Sequence, residues 1–154
     1  MLIFLTPSFV NADLLLFSDD NEFFGCLDCG RYDDDSICNR YGDYGSRYSD
    51  KSIWNRYGIG SRYDNNSPFN RYGTGLKIVD RDGNYYGYFS RSYSADSKTR
   101  NALNDLWDSV DGDYQEMRDI WCDWLTLRKR LESNHCSNLI SHGGISSSSD
   151  FASR

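Results

Sequence analysis

The sequence predicts an α+β fold: a small antiparallel sheet of two hairpins with a turn-rich repeat insertion, followed by two C-terminal helices. Three observations predict it. Short apolar runs at 13–17 and 22–27, and again at 76–80 and 85–89, flank polar turn sequences. Between the two pairs, a Ser-x-Φ-Asn-Arg-Tyr-Gly unit (Φ apolar) recurs without the 3.6-residue apolar period of a helix. Beyond residue 96, Leu103, Trp107, Val110, Tyr114, Met117, Trp121, Trp124 and Leu131 recur at three- and four-residue spacing, the mark of an amphipathic helix.

In the first hairpin, DLLLF and EFFGCL enclose Ser-Asp-Asp-Asn, a four-residue loop. In the second, LKIVD and YYGYF enclose Arg-Asp-Gly-Asn, whose Asp82-Gly83 step favours a tight turn. Asp80 to Asn84 also resembles the opening of a calcium loop. An EF-hand needs glycine at its sixth position and Glu at its twelfth, where this chain has Tyr85 and Arg91, so a hairpin turn is the better reading.

The repeat occupies 36–75. SICNRYG at 36–42 returns as SIWNRYG at 52–58 and as SPFNRYG at 67–73, with a Gly-Ser-Arg-Tyr following the first two copies. Asn39, Asn55 and Asn70 can bond their own backbone and tolerate left-handed conformations, and Gly42, Gly58 and Gly73 can turn freely. A chain of stacked turns results, with Ile37, Ile53, Trp54 and Phe69 inside and the tyrosines outside. At the C-terminal end, Asp96 or Ser97 caps a helix over 98–109, Asp111-Gly112-Asp113 interrupts, and a second helix runs over 114–132. Arg128, Lys129 and Arg130 then suit the negative end of its dipole.

Residues 1–12 carry no charge and their apolar stretch is far shorter than the roughly 20 residues of a membrane span. They read as a signal-peptide remnant, leaving a single α+β domain over 13–133 and a Ser/Gly-rich flexible tail over 134–154. Export predicts a periplasmic or secreted protein with no membrane span in the mature chain. Cys26, Cys29, Cys38, Cys122 and Cys136 are the disulfide candidates, four of them forming two bridges in an oxidising compartment. Unpaired buried thiols, a zinc site built on Cys26 and Cys29, and a redox pair are the alternatives. No metal and no cofactor is expected.

The chain carries a formal charge of −6 with 12 Tyr, 8 Phe and 4 Trp. Arg47, Arg56 and Arg62 alternate with Tyr48, Tyr57 and Tyr63, and such interleaving can grip bases or sugar rings. Residues 31–71 hold seven basic and six acidic side chains, too even a balance for nucleic acid. These six side chains are therefore candidate ligand-binding residues for a glycan or a partner protein. The chain has no Gly-rich phosphate loop, HExxH or GxSxG, and His135 and His142 both lie near the tail. No catalytic residue is assigned, and an enzyme is the less favoured reading. Its only candidate is a small hydrolase built on Asp33, Asp34 and Asp35.

GCLDC at 25–29, DSICN at 35–39, YGDYGS at 41–46, SIWN at 52–55, and IVD at 78–80 followed by GNYYGY at 83–88 occur in order. In these words the chain resembles a family of small, uncharacterised bacterial proteins with YGS/SIWN-type repeats. The resemblance spans about residues 13–90, while the second unit lacks one spacing residue. It implies a bacterial source and export, and no catalytic residue. The leading expectation is a non-enzymatic exported protein binding a cell-envelope glycan or partner protein. A structural or oligomerisation module using Trp107, Trp121 and Trp124 is the alternative; the oligomeric state is open.

Overall fold

The structure is a computed structural model that describes residues 13–140, with side chains to residue 134. The expected signal-peptide segment 1–12 lies outside the described residues. Four strands form one antiparallel sheet: β1 (Leu15–Phe17), β2 (Phe23–Cys26), β3 (Leu76–Val79) and β4 (Tyr85–Phe89), in the order β2-β1-β3-β4. Both hairpins form as expected, and β1 joins them by pairing with β3. Leu16 lies opposite Ile78 in that ladder and both are buried, as is Leu76 on the same face. The period-two alternation thus puts one apolar face inward.

Each hairpin closes through a side chain. In the first, the Ser18 hydroxyl accepts from the Glu22 N–H, and Asn21 takes a left-handed φ of 65°. In the second, Gly83 (φ 86°) supplies the left-handed step and Asp80 ties the turn. Its Oδ1 accepts from the Asp82 and Asn84 N–H groups at 2.9 Å, and its Oδ2 from Asn84 Nδ2 (2.9 Å) and the Tyr86 hydroxyl (2.8 Å). These donors, led by the Asn84 and Tyr86 side chains, hold the Asp80 carboxyl down at about 2. A carboxylate so engaged within its own hairpin is a turn residue.

The repeat follows β2 and is stitched to it, since the Cys26 N–H donates to Asp35 O and the Ile37 N–H to Cys26 O. Within each copy one cassette recurs. The hydroxyls of Ser36, Ser52 and Ser67 accept from the N–H two residues on, at 3.0, 3.2 and 3.1 Å. Asn39, Asn55 and Asn70 do the same through Oδ1, and their Nδ2 groups reach six residues back to the carbonyls of Asp33, Ser49 and Asp64 at 3.2, 3.0 and 3.0 Å. Each Asn therefore clamps two successive turns, satisfying groups that no ladder pairs. Ile37, Ile53, Trp54 and Phe69 are buried and Tyr41, Tyr48, Tyr57, Tyr63 and Tyr72 lie outside, as expected, whereas the half-buried Tyr44 packs edge-on against Phe23.

Two conformational expectations are corrected. None of Asn39, Asn55 and Asn70 is left-handed, and neither are Gly42, Gly58 and Gly73. Glycine is required at 58 and 73 by close approach: an added Cβ would strike the backbone of Asp50 or Asn65 in the preceding turn.

The chain divides into two compact units after Asp119. In the first, α1 (Ser97–Ser109) is capped by Asp96, whose Oδ1 accepts from the Thr99 N–H at 3.0 Å. Gly112 (φ 72°) ends it by returning its N–H to Trp107 O at 2.9 Å, and Asp113 caps α2 (Tyr114–Ile140). The first residues of α2 serve the repeat. The Tyr114 hydroxyl donates to Gly60 O (2.7 Å) and Arg118 Nη1 to Gly45 O (3.2 Å). Gly45 and Gly60 each precede the serine of a Gly-Ser-Arg-Tyr segment, so residues one helical turn apart meet equivalent carbonyls of successive copies.

The second unit begins at Ile120. Here α2 runs on to Ile140, past the expected end at 132, and includes residues 134–140 that were assigned to the tail; 141–154 lie outside the described residues. Arg128, Lys129 and Arg130 therefore sit within the helix, not at its end, and no basic residue occupies the last turn. The apolar stripe also departs from expectation. Cys122 and Leu125 are buried, whereas Trp124 and Leu131 are exposed. No helix among the described residues is long and apolar enough to cross a membrane.

Candidate functional site

The outer face of the repeat is a row of arginine–tyrosine pairs. Tyr48, Tyr57 and Tyr63 are each at least 80% exposed. The preceding guanidinium lies over each ring: Arg47 over Tyr48 at 5.1 Å, Arg56 over Tyr57 at 5.3 Å and Arg62 over Tyr63 at 5.2 Å from the ring centroid. The Asn and Ser clamps explain the spacing. Asn55 Oδ1 holds the Tyr57 N–H, and the Ser46 and Ser61 hydroxyls hold the N–H groups of Tyr48 and Tyr63. The tyrosines add little to the core, and the turns that present them are tied at their base.

Four of the six candidate residues come together. Arg56, Tyr57, Arg62 and Tyr63 line an open cleft of about 460 Å³, within the span of small-molecule sites. Arg47 and Tyr48 lie outside it, farther along the same face. Ser61 adds a hydroxyl, and the other wall comes from the α1–α2 junction: Trp107, Asp111, Gly112 and Tyr114.

This wall is braced from behind. Trp107 and Tyr114 meet edge-to-face at 5.8 Å, and Phe69 packs on both at 5.9 and 5.2 Å. Trp54 continues the column at 5.8 Å from Phe69 and donates its indole N–H to Ile37 O at 2.7 Å. Gly112 is glycine for two reasons, its left-handed φ and the Trp107 ring that an added Cβ would strike. Burial pushes the Tyr114 phenol up to about 12, so it stays neutral and donates to Gly60 O.

The cleft sets two guanidiniums, Arg56 and Arg62, against one carboxylate, Asp111. Among the described residues neither Arg56 nor Arg62 makes an ion pair. Arg91, buried behind the wall, lies 4.1 Å from the Trp107 centroid and donates its Nε–H to Asn104 Oδ1. Desolvation lowers its pKa, with Arg71 adding to the effect. By contrast, Arg40 and Arg118 share the Asp119 carboxylate at 2.8 and 3.3 Å.

The half of the site contributed by the α1–α2 junction was missed in the sequence. Trp107 and Tyr114 belong to a helical stripe whose usual use is core packing. Asp111-Gly112, a helix stop followed by a cap, was the available signal.

The remaining candidates fall elsewhere. Cys26 and Cys29 form a disulfide, and Cys38 and Cys122 are also disulfide-bonded; the Cys136 side chain lies outside the described residues. Asp13, Asp28 and the two bridged sulfurs cluster within 4.8 Å, but a zinc site there would need both sulfurs as thiolates. Asp33, Asp34 and Asp35 sit in an exposed turn, where Asp33 Oδ2 accepts from the Gly30 N–H at 2.8 Å. No family model matches the chain, and neither a curated protein nor a solved structure matches it at a significant level.

Proposed function

We propose that this chain is a non-catalytic binding protein of an oxidising, extracytoplasmic compartment. It takes a cell-envelope glycan on the arginine–tyrosine face of its repeat. The observation that carries the reading is the exposed Tyr48, Tyr57 and Tyr63 row, each ring under its own arginine and held on turns tied by Ser and Asn side chains. Exposed planar rings flanked by hydrogen-bond donors suit the apolar face and hydroxyl rim of a sugar. The disulfides support the compartment, because such bonds persist where the redox poise is oxidising.

Saturable binding to isolated envelope polysaccharide is expected, lost in the Tyr48→Ala/Tyr57→Ala/Tyr63→Ala triple variant while far-UV circular dichroism is retained. Unchanged binding by that variant would defeat the reading. Alkylation of the exported protein before reduction, followed by intact-mass measurement, should find Cys26, Cys29, Cys38 and Cys122 protected. Full alkylation would remove the compartment.

A second reading is assembly through α2. Ile120, Trp124, Leu127 and Leu131 are all exposed and fall at four-, three- and four-residue spacing, a continuous apolar row. Trp107 and Trp121, expected on the same seam as Trp124, are not on this row. Assembly predicts a dimer in sedimentation velocity that Trp124→Glu dissociates; a strict monomer at high concentration excludes it.

A further inference from the structure

We infer that the cleft between the second repeat copy and the α1–α2 junction is a subsite for a carboxylated sugar, a hexuronate residue of an acidic glycan. This rests on the glycan reading above and narrows it to one ligand chemistry. In a chain of net charge −6, two guanidiniums without an ion-pair partner among the described residues line this cleft, Arg56 and Arg62, while Arg91 lies buried behind its Trp107 wall. Of the other arginines, Arg40 and Arg118 share Asp119, Arg81 meets Asp13 and Arg128 meets Glu132, while Arg47 and Arg100 lie over the Tyr48 and Tyr93 rings. Unneutralised guanidiniums beside an aromatic wall are poised for a planar anion, which their forks bind through two parallel N–H···O bonds.

The other linings match the rest of such a ring. The Trp107 and Tyr114 rings, fixed by Phe69, offer an apolar wall to the sugar's C–H face. Asp111 can accept from sugar hydroxyls and the Ser61 hydroxyl can do either. A nucleotide fits less well, since the α2 N-terminus at the cleft is already capped by the Asp113 carboxylate, which accepts from the Gln115 and Glu116 N–H groups a phosphate would need. The volume of about 460 Å³ holds a small ligand such as a sugar unit, with the chain continuing over Tyr48 along the open face.

The test is calorimetric titration of the whole protein with an oligogalacturonide, its methyl-esterified form and a neutral galacto-oligosaccharide, with tryptophan fluorescence followed in parallel. The acid form is expected to bind at least about tenfold more tightly than the ester, one charge-assisted bidentate contact being of that size. Arg56→Gln/Arg62→Gln should erase this preference without changing the thermal unfolding midpoint, and the tryptophan emission change, absent in Trp107→Phe, should follow only sugars that bind. Inorganic phosphate at matched ionic strength should not compete. Equal binding of acid and ester, lost in Tyr57→Ala/Tyr63→Ala, overturns the uronate subsite and leaves the glycan reading standing. No binding of any sugar overturns both. Full competition by phosphate also overturns the proposal, as the cleft is then a general anion site.

Discussion

The four-stranded sheet and the repeat solve the same problem by opposite means. In the sheet, backbone groups pair across β2-β1-β3-β4, and side chains need only alternate between faces. In the repeat no ladder forms, so Ser52 and Asn55 and their counterparts bond the turns directly. A sheet residue pointing outward is thus replaceable, whereas a small polar residue of the repeat is structural. The tyrosines between these clamps join them only through their backbone N–H groups, which leaves their rings free for a ligand.

The largest effect should come from Trp54→Ala. Trp54 is 1% exposed, links two copies through its indole N–H and begins the aromatic column behind the cleft. Its loss should cost about 3–5 kcal/mol in urea unfolding, at least as much as Leu16→Ala in the sheet. A markedly smaller cost than Leu16→Ala would mean that the repeat is not a cooperative part of the fold. Next comes Asn55→Ala, which orphans Ser49 O and the Tyr57 N–H and should cost about 1–3 kcal/mol. Lys77→Ala in β3, whose side chain bonds only the exposed Asn21 amide, should fall within about 0.5 kcal/mol. Equal costs would erase the contrast between the two regions.

A smaller effect distinguishes the sheet's own side-chain clamp. The Asp80 carboxyl is depressed in the folded state from 3.8 to about 2, so its contribution to stability is present above the unfolded value and is lost as pH falls through this window. Unfolding followed between pH 5 and pH 2 should be less pH-dependent in Asp80→Asn than in the parent. An unaltered acid limb would show that the hairpin does not depend on this carboxylate. Also small is Tyr48→Ala, with an exposed ring and one cation–π contact, which should change stability by less than about 1 kcal/mol while weakening glycan binding. A large loss of stability would place Tyr48 in the structural set and remove it from the binding face.

The two hairpins, the Asp96 cap and the inward set Ile37, Ile53, Trp54 and Phe69 were legible in the sequence because each depends on neighbours within a few residues. Periodicity and turn chemistry are local, and they repeat. The role of Gly58 and Gly73 was legible as glycine and not as to cause, since the backbone they avoid belongs to the preceding turn. The end of α2 was misjudged because serine and asparagine after 132 disfavour a helix only weakly.

The sequence by itself determined the α+β class, the strand pairs, the turn repeat and the outward placement of its tyrosines. Only the tertiary structure decided that Arg56, Tyr57, Arg62 and Tyr63 share a cleft with Trp107, Asp111 and Tyr114, while Arg47 and Tyr48 stand outside it. It likewise decided that Tyr114 and Arg118 meet equivalent carbonyls of the repeat. These contacts join residues some fifty to seventy positions apart, and no local period records such a distance. The match between one helical turn and one repeat step exists only once both elements have formed and docked.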